Sequence, residues 1–279
     1  MKKQLLLLVL LLSMGQTKAQ EIVYGNNQAA GKYLVHDGAK LYYETYGEGQ
    51  PLLLLHGDLY GYITEFSAYI PLLSKQYKVI AVGTRGHGRS ELGDRPLTYQ
   101  LLAEDALAIL RKETTDSAII MGFSGGAVLS YYIAAHYPTA AKKVVALAGA
   151  LNAKAYKPSS LKELREMNDK IATEQLPKVV AARKAIMPQP ERYGELIEQL
   201  KKLWFQDVYV TEAQAKNIKC PVLTVGGDRD EYFTPAAFVA TYNAIPGSSL
   251  AIVPGAGHVK VIRAPDYLTT VILPFMNQK

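Results

Sequence analysis

The sequence predicts an α/β fold: a mostly parallel central sheet, helices on both of its faces, and a helical cap insertion. Short, continuously apolar runs alternate with segments of helical apolar spacing along most of the 279 residues. Strands that are apolar on both faces are typical of a parallel sheet covered by helices. Residues 152–219 interrupt this alternation with helical patterns alone, which predicts a cap at the carboxyl edge of the sheet, where such sheets bind ligands.

The elements follow in chain order. Leu41–Gly49 predicts an early strand closed by a glycine-rich turn, and Pro51–Gly57 predicts a short buried strand. Thr98–Glu113 has the apolar spacing of a helix. Further strands are predicted over residues 77–82, 117–122, 142–149, 221–227 and 249–255, and closing helical structure over 265–276. The predicted division is a signal over 1–19, core over 20–151, cap over 152–219, and core again over 220–279.

The amino terminus predicts a cleaved secretory signal. Lys2 and Lys3 precede the apolar run Leu5–Leu12, and Thr17–Ala19 supplies small residues near the cleavage position. The run is shorter than the about 20 residues of a membrane span, although a retained anchor is the alternative. We expect an exported protein, periplasmic or secreted if bacterial, with no stable membrane span after cleavage.

Composition argues against several other classes. Without the three signal lysines, 31 − 3 = 28 basic residues face 25 acidic ones, a balance of 28 − 25 = +3 that is too mild for nucleic-acid binding. Cys220 is the only cysteine, so no intrachain disulfide or thiolate metal cluster can form. No phosphate-cradling loop or dinucleotide fingerprint is found. We expect a small-molecule substrate, no cofactor and no metal; the oligomeric state stays open.

Chemistry is indicated first by Ser124, in the run Gly122-Phe123-Ser124-Gly125-Gly126. This is G-x-S-x-G between a predicted strand and a predicted helix, the context of a nucleophile elbow. A serine hydroxyl is a weak nucleophile, so it needs a base and a group that orients the base. Without such partners, the glycines would merely connect a strand to a helix.

His258 is the best candidate for the base. It follows the last predicted strand on a glycine-rich turn, whereas the other four histidines lie before the serine or at the end of its helix. The orienting carboxylate should follow the preceding strand, where Asp228, Asp230 and Glu231 are all available.

The order serine, acid, histidine resembles the α/β-hydrolase superfamily, specifically its small lipase- and esterase-like serine hydrolases. The matching runs are LLHGD (Leu54–Asp58), TRGHGRS (Thr84–Ser90), GFSGG (Gly122–Gly126), GGDRD (Gly226–Asp230) and GAGH (Gly255–His258). The resemblance covers the chain from Leu41 onward and is weakest in the cap. It implies that Ser124, Asp230 and His258 are catalytic, while Asp228 stabilises its loop.

The resemblance also implies an oxyanion hole made by the backbone N–H groups of Asp58 and Gly125. A carboxylate so close to a developing anion is unusual. We expect the Asp58 side chain to point away from the site; the alternative is that it recognises a cationic or hydroxyl-bearing substrate.

The predicted function is hydrolysis of a carboxylic ester of a small to medium apolar substrate through an acyl-enzyme. In the cap, Trp204, Phe205 and Tyr209 could line an apolar pocket or could pack the cap onto the core. Lactone hydrolysis, aminopeptidase-like cleavage and carbon–carbon bond hydrolysis are alternatives on the same fold. A non-catalytic binding protein on this scaffold is the alternative from another class.

Overall fold

The computed structural model describes residues 22–206 and 208–278. The predicted signal over 1–19 lies outside these residues. Within them, no helix combines the length and hydropathy that crossing a bilayer would require.

The described residues form one eight-stranded sheet in the order β1-β2-β4-β3-β5-β6-β7-β8. The strands are β1 (Gly31–His36), β2 (Ala39–Tyr46), β3 (Gln50–Leu55), β4 (Tyr77–Val82), β5 (Ala118–Phe123), β6 (Ala141–Leu147), β7 (Val222–Gly227) and β8 (Ser249–Val253). β1 pairs with β2, and β2 with β4, in antiparallel fashion, and the other pairs are parallel. The fold is therefore the mostly parallel α/β fold that the sequence predicts, with β1 preceding its first predicted strand.

Helices cover both faces of this sheet. They are α1 (Ile70–Leu73), α2 (Tyr99–Glu113), α3 (Gly125–His136), α4 (Pro158–Glu166), α5 (Asp169–Gln175), α6 (Pro177–Lys184), α7 (Tyr193–Trp204), α8 (Glu212–Lys216), α9 (Pro235–Ala244), α10 (Lys260–Arg263), α11 (Pro265–Tyr267) and α12 (Leu273–Asn277). α2 begins where predicted because the Thr98 hydroxyl accepts the Leu101 N–H at 3.0 Å, a helix cap. The closing helical structure is interrupted by a π-helical turn at Leu268–Ile272.

Two apolar layers form the core, one on each face of the sheet. β3 and β5 lie at its centre, and every residue of β5 is buried. Side chains that alternate along β3 belong to different layers: Leu53 and Leu55 to one, Leu52 and Leu54 to the other. Burial on both faces explains why these central strands are continuously apolar in sequence.

Between β6 and β7 the described part of residues 152–219 contains helices α4 to α8, short 3₁₀ turns and no extended strand. An isolated bridge pairs Tyr156 with Phe233, the latter in the loop after β7. The segment therefore reaches the carboxyl edge of the sheet, where the candidate functional residues lie.

Candidate active site

Ser124 lies on the sharp turn between β5 and α3. Its backbone has φ +53° and ψ −118°, a conformation that residues other than glycine rarely adopt. The flanking glycines make the turn possible: a Cβ on Gly122 would lie 2.0 Å from the Gly126 carbonyl oxygen, and one on Gly126 would lie 2.1 Å from that of Leu55. Close packing of strand against helix therefore holds the serine hydroxyl in place above the sheet.

The structure brings His258 to this serine. His258 Nε2 lies 3.0 Å from Ser124 Oγ, and Nδ1 lies 2.9 Å from Asp230 Oδ2. Asp230 is fully buried and His258 is 6% exposed. The three side chains, which are far apart in the chain, thus form one continuous hydrogen-bonded series.

The carboxylates in the loop after β7 have different hydrogen-bond partners. Asp230 Oδ1 accepts the backbone N–H groups of Tyr232 and Phe233 at 2.8 and 3.1 Å, which leaves Oδ2 for the histidine. Asp228 instead accepts the Gly255 N–H at 2.6 Å and bridges two loops. Asp230, not Asp228, is therefore the carboxylate that contacts the imidazole.

Glu231, the third candidate, contacts the backbone of His258 and not its imidazole. Its Oε2 accepts the backbone N–H of His258 at 2.6 Å. Its own backbone carbonyl accepts the Ser160 hydroxyl of α4 at 2.7 Å, and the Lys157 ammonium donates to the carbonyl of Asp230. The start of the cap thereby contacts the loop that holds the acid.

His56 has a structural place beneath the site. Its Nε2 accepts the Thr84 N–H at 3.0 Å, so Nδ1 carries the proton and donates to the Gly57 carbonyl at 2.6 Å. Burial lowers the pKa of His56 well below its usual value, so the ring stays neutral. The turn that bears Asp58 is braced by this neutral ring.

The expectation that Asp58 points away from the site is wrong. Its carboxyl lies against Gly125, where a Cβ would be 2.2 Å from the carboxyl carbon, and it lines the same cleft as Ser124. The physical reason is a bond supplied by the cap: Trp204 Nε1 donates to Asp58 Oδ2 at 2.8 Å. Burial raises the pKa of Asp58 to about 6, partly opposed by that bond.

A second acid lines this cleft. Glu65 Oε2 accepts the Gly57 N–H at 2.8 Å, and burial raises the pKa of Glu65 to about 7. The charge of Arg183, in α6, opposes that rise. Arg183 also ties the cap to the core by donating to the Tyr60 carbonyl and the Thr64 hydroxyl, each at 2.9 Å.

The cleft has a volume of about 120 Å³, and five aromatic side chains contribute to its walls. These are Tyr60, Phe123, Tyr156, Trp204 and Tyr232. Of the three predicted pocket residues, only Trp204 lines it.

Tyr209 packs the cap onto the core instead, and Phe205 packs against another residue of the cap. The Tyr209 hydroxyl donates to the Trp204 carbonyl at 2.6 Å, and its ring packs edge-on against Tyr99 at 5.2 Å. The Phe205 ring lies under the Arg165 guanidinium at 4.9 Å. Both rings pack with the larger apolar layer, and neither lines the cleft.

The two predicted oxyanion donors lie in different positions relative to the cleft. Asp58 lines the cleft, whereas Gly125 begins α3 directly behind Ser124 and lies under the Asp58 carboxyl. Among the residues described by the structure, no acceptor is found for the N–H of either one.

A model of the alpha/beta hydrolase family matches residues 52–268, which include Ser124, Asp230 and His258. The chain belongs to the α/β-hydrolase family. Among curated proteins, this α/β-hydrolase is 24% identical over 261 residues to human serine hydrolase BPHL, covering 91% of this chain and 88% of the human protein. It is 28% identical over 255 residues to 2-(acetamidomethylene)succinate hydrolase of Mesorhizobium japonicum, covering 83% and 89% of the two chains.

Solved structures show the same fold for this α/β-hydrolase. The enol-lactonase of Burkholderia xenovorans matches with a TM-score of 0.70 at 22% identity, covering 88% of this chain and 100% of that one. Carboxylesterase CesB of Bacillus subtilis matches with a TM-score of 0.72 at 21% identity, covering 88% and 91%.

Sequence reasoning missed the tyrosines and the second acid of this α/β-hydrolase. Tyr156 and Tyr232 approach the cleft through the bridge between residues 156 and 233, a contact with no local sequence signal. Glu65 lies in a short 3₁₀ turn, Ile63–Phe66, whose buried residues are apolar, and an acid in a first helical turn gives no particular signal of a site.

Proposed function

We propose that this α/β-hydrolase is a serine hydrolase that cleaves carboxylic esters with small to medium acyl groups. The single observation that supports it most is the series Ser124–His258–Asp230, with contacts of 3.0 and 2.9 Å, opening into a cleft. A base within hydrogen-bond reach, oriented by a buried carboxylate, is the arrangement that activates a serine hydroxyl.

In the first half-reaction, His258 takes the proton of Ser124 Oγ as that oxygen attacks the ester carbonyl. Asp230 accepts the Nδ1–H and stabilises the imidazolium that forms. The N–H groups of Asp58 and Gly125, which have no other acceptor among the described residues, stabilise the tetrahedral oxyanion. His258 then gives its proton to the departing alcohol, which leaves an acyl group on Ser124.

In the second half-reaction, water replaces the alcohol. His258 removes a proton from the water as its oxygen attacks the acyl carbonyl, and returns that proton to Ser124 Oγ as the carboxylic acid leaves. One ester and one water give one acid and one alcohol. Carboxylesterase is also the named activity of one of the structurally similar proteins, CesB.

A fluorophosphonate probe and a series of p-nitrophenyl esters test this function. We expect the probe to label the wild-type protein at Ser124, and Ser124→Ala to lose both labelling and ester hydrolysis. Hydrolysis by Ser124→Ala at the wild-type rate would contradict the proposal. Lactones and aminoacyl anilides in the same screen distinguish other acyl substrates, and a wild-type protein that neither labels nor turns over any of them would indicate a binding protein.

We also propose that the protein is exported through the signal predicted over residues 1–19. Amino-terminal sequencing of protein recovered from outside the cytoplasm should begin at about Gln20. A mature chain that still begins at Met1 would indicate a retained anchor or no export.

A further inference from the structure

We propose that Asp58 selects esters whose acyl group carries a protonated amine on the carbon next to the carbonyl. This inference rests on the proposed ester hydrolysis and names the substrate class of the same cleft. It is based on the position of the Asp58 carboxylate beside Gly125, on the side chains that surround it, and on its repulsion of the oxyanion of a neutral substrate.

The first step is the position of the carboxylate. It contacts the Cα side of Gly125 and opens onto the cleft that holds Ser124. One oxygen accepts the Trp204 N–H at 2.8 Å, and a carboxylate oxygen has room for further donors. A molecule bound in the cleft can therefore donate a second hydrogen bond to it.

The second step is the lack of any positive charge to pair with it. Among the described residues that line the cleft there is no lysine or arginine, and the acids are Asp58 and Glu65. Glu65 already accepts the Gly57 N–H and has Arg183 nearby, whereas Trp204 is the polar partner of Asp58. A partly buried carboxylate without a counter-ion favours a cationic ligand.

The third step is the aromatic wall. The faces of tyrosine and tryptophan rings attract ammonium groups by cation–π interaction. Tyr60, Tyr156, Trp204 and Tyr232 all line the cleft, so a cation there has favourable neighbours besides Asp58.

The fourth step places the amine on the acyl side of the ester. A negative carboxylate beside the oxyanion donors would repel the developing oxyanion of a neutral substrate. An ammonium on the carbon next to the carbonyl lies close to the carbonyl oxygen, between it and Asp58, and turns that repulsion into attraction. An ammonium on the alcohol would lie beyond the ester oxygen, farther from Gly125.

Three esters measured at about pH 7 by acid release test the proposal. Ethyl alaninate carries the ammonium next to the carbonyl, ethyl 2-methylpropanoate replaces that ammonium by a methyl group, and the choline ester of 2-methylpropanoate carries the charge on the alcohol. We expect the wild-type kcat/KM for ethyl alaninate to exceed that for ethyl 2-methylpropanoate by about 30-fold or more, which corresponds to ~2 kcal/mol.

Asp58→Asn is the decisive variant because it keeps the backbone N–H, the side-chain shape and an acceptor for Trp204. We expect it to reduce the preference to within about threefold, through a higher KM for ethyl alaninate and faster hydrolysis of the neutral ester. Asp228→Asn, which removes a negative charge outside the cleft, is the matched control and should keep the wild-type preference.

Equal wild-type rates on the two ethyl esters, a preference for the choline ester, or a preference that survives in Asp58→Asn would each overturn the inference. In those cases, loss of hydrolysis in Ser124→Ala would still support the proposed function. Absence of both fluorophosphonate labelling and hydrolysis in the wild type would overturn the function and the inference together.

Discussion

Replacing Gly125 by alanine should destabilise this protein because Asp58 covers it. The new Cβ would lie 2.2 Å from the Asp58 carboxyl carbon and from both of its oxygens, so the carboxyl must move. Moving it breaks the bond from Trp204, and losing a hydrogen bond to a charged group costs about 1.5–3 kcal/mol. A side chain forced off its rotamer adds about 0.5–1.5 kcal/mol, for a total of about 2–4.5 kcal/mol.

The same substitution should be harmless once Asp58 is alanine. Gly125 is the first residue of α3 and does not have a positive φ, so its backbone suits alanine. Without the carboxyl above it, alanine at this first helical position gains at most the about 0.5–1 kcal/mol that it has over glycine in a helix interior. The expected effect therefore changes sign between the two backgrounds.

Urea unfolding of four proteins measures this: wild type, Gly125→Ala, Asp58→Ala and the double variant, all at about pH 8 so that Asp58 is ionised. We expect a coupling energy of about 2–4.5 kcal/mol between the two sites, since the helix preference of alanine is the same in both backgrounds. Gly194→Ala in α7 is the matched control, because its Cβ would meet only Asp169 Cβ at an ordinary 3.8 Å. Equal destabilisation by Gly125→Ala in both backgrounds would refute the placement of Asp58 over Gly125.

Three further predictions concern the acids around the site. Asp230→Asn should lower kcat for ester hydrolysis by about 10³–10⁴-fold with little change in KM, since the wrong imidazole tautomer results; a loss below tenfold would contradict its assigned role. Glu231→Ala should lower kcat by about 5–30-fold through loss of the bond to the His258 N–H, whereas Glu231→Gln, which can still accept it, should stay near wild type; equal losses would show that the charge matters instead. Glu65 has its pKa raised from 4.5 to about 7, so the folded state binds its proton more tightly than the unfolded chain does, and stability should fall as pH rises from about 4.5 to 7. Urea unfolding across this range should show a weaker fall in Glu65→Gln, and an unchanged slope would rule out Glu65 as a source of the pH dependence.

Much of the fold, and the chain order of the three candidate catalytic residues, can be predicted from local sequence. The strand-to-helix serine turn can be recognised in the sequence because it requires its glycines. A Cβ on Gly122 or Gly126 would lie only 2.0–2.1 Å from a backbone oxygen of an adjacent element. The grouping of Ser124, Asp230 and His258 can be predicted because each follows its own apolar strand. Parallel strands end at the same, carboxyl edge of the sheet.

The interior of the cleft was less accessible from sequence. The direction of the Asp58 side chain is decided by Trp204, 146 residues later, through a contact that no local pattern encodes. Phe205 and Tyr209 are close in sequence to Trp204, yet neither lines the cleft. Helix α7 ends at Trp204, so its spacing does not extend to them.

The contacts between α4 and the loop after β7 limit how this protein could be recombined with its relatives. The chain leaves β6 and returns in β7, which are neighbours in the sheet, so the intervening segment could be exchanged without breaking a strand pair. Lys157 and Ser160, however, donate to the backbone carbonyls of Asp230 and Glu231. A chimera that imported a foreign lid would need to graft it downstream of Ser160, or the acid loop would lose these two anchors.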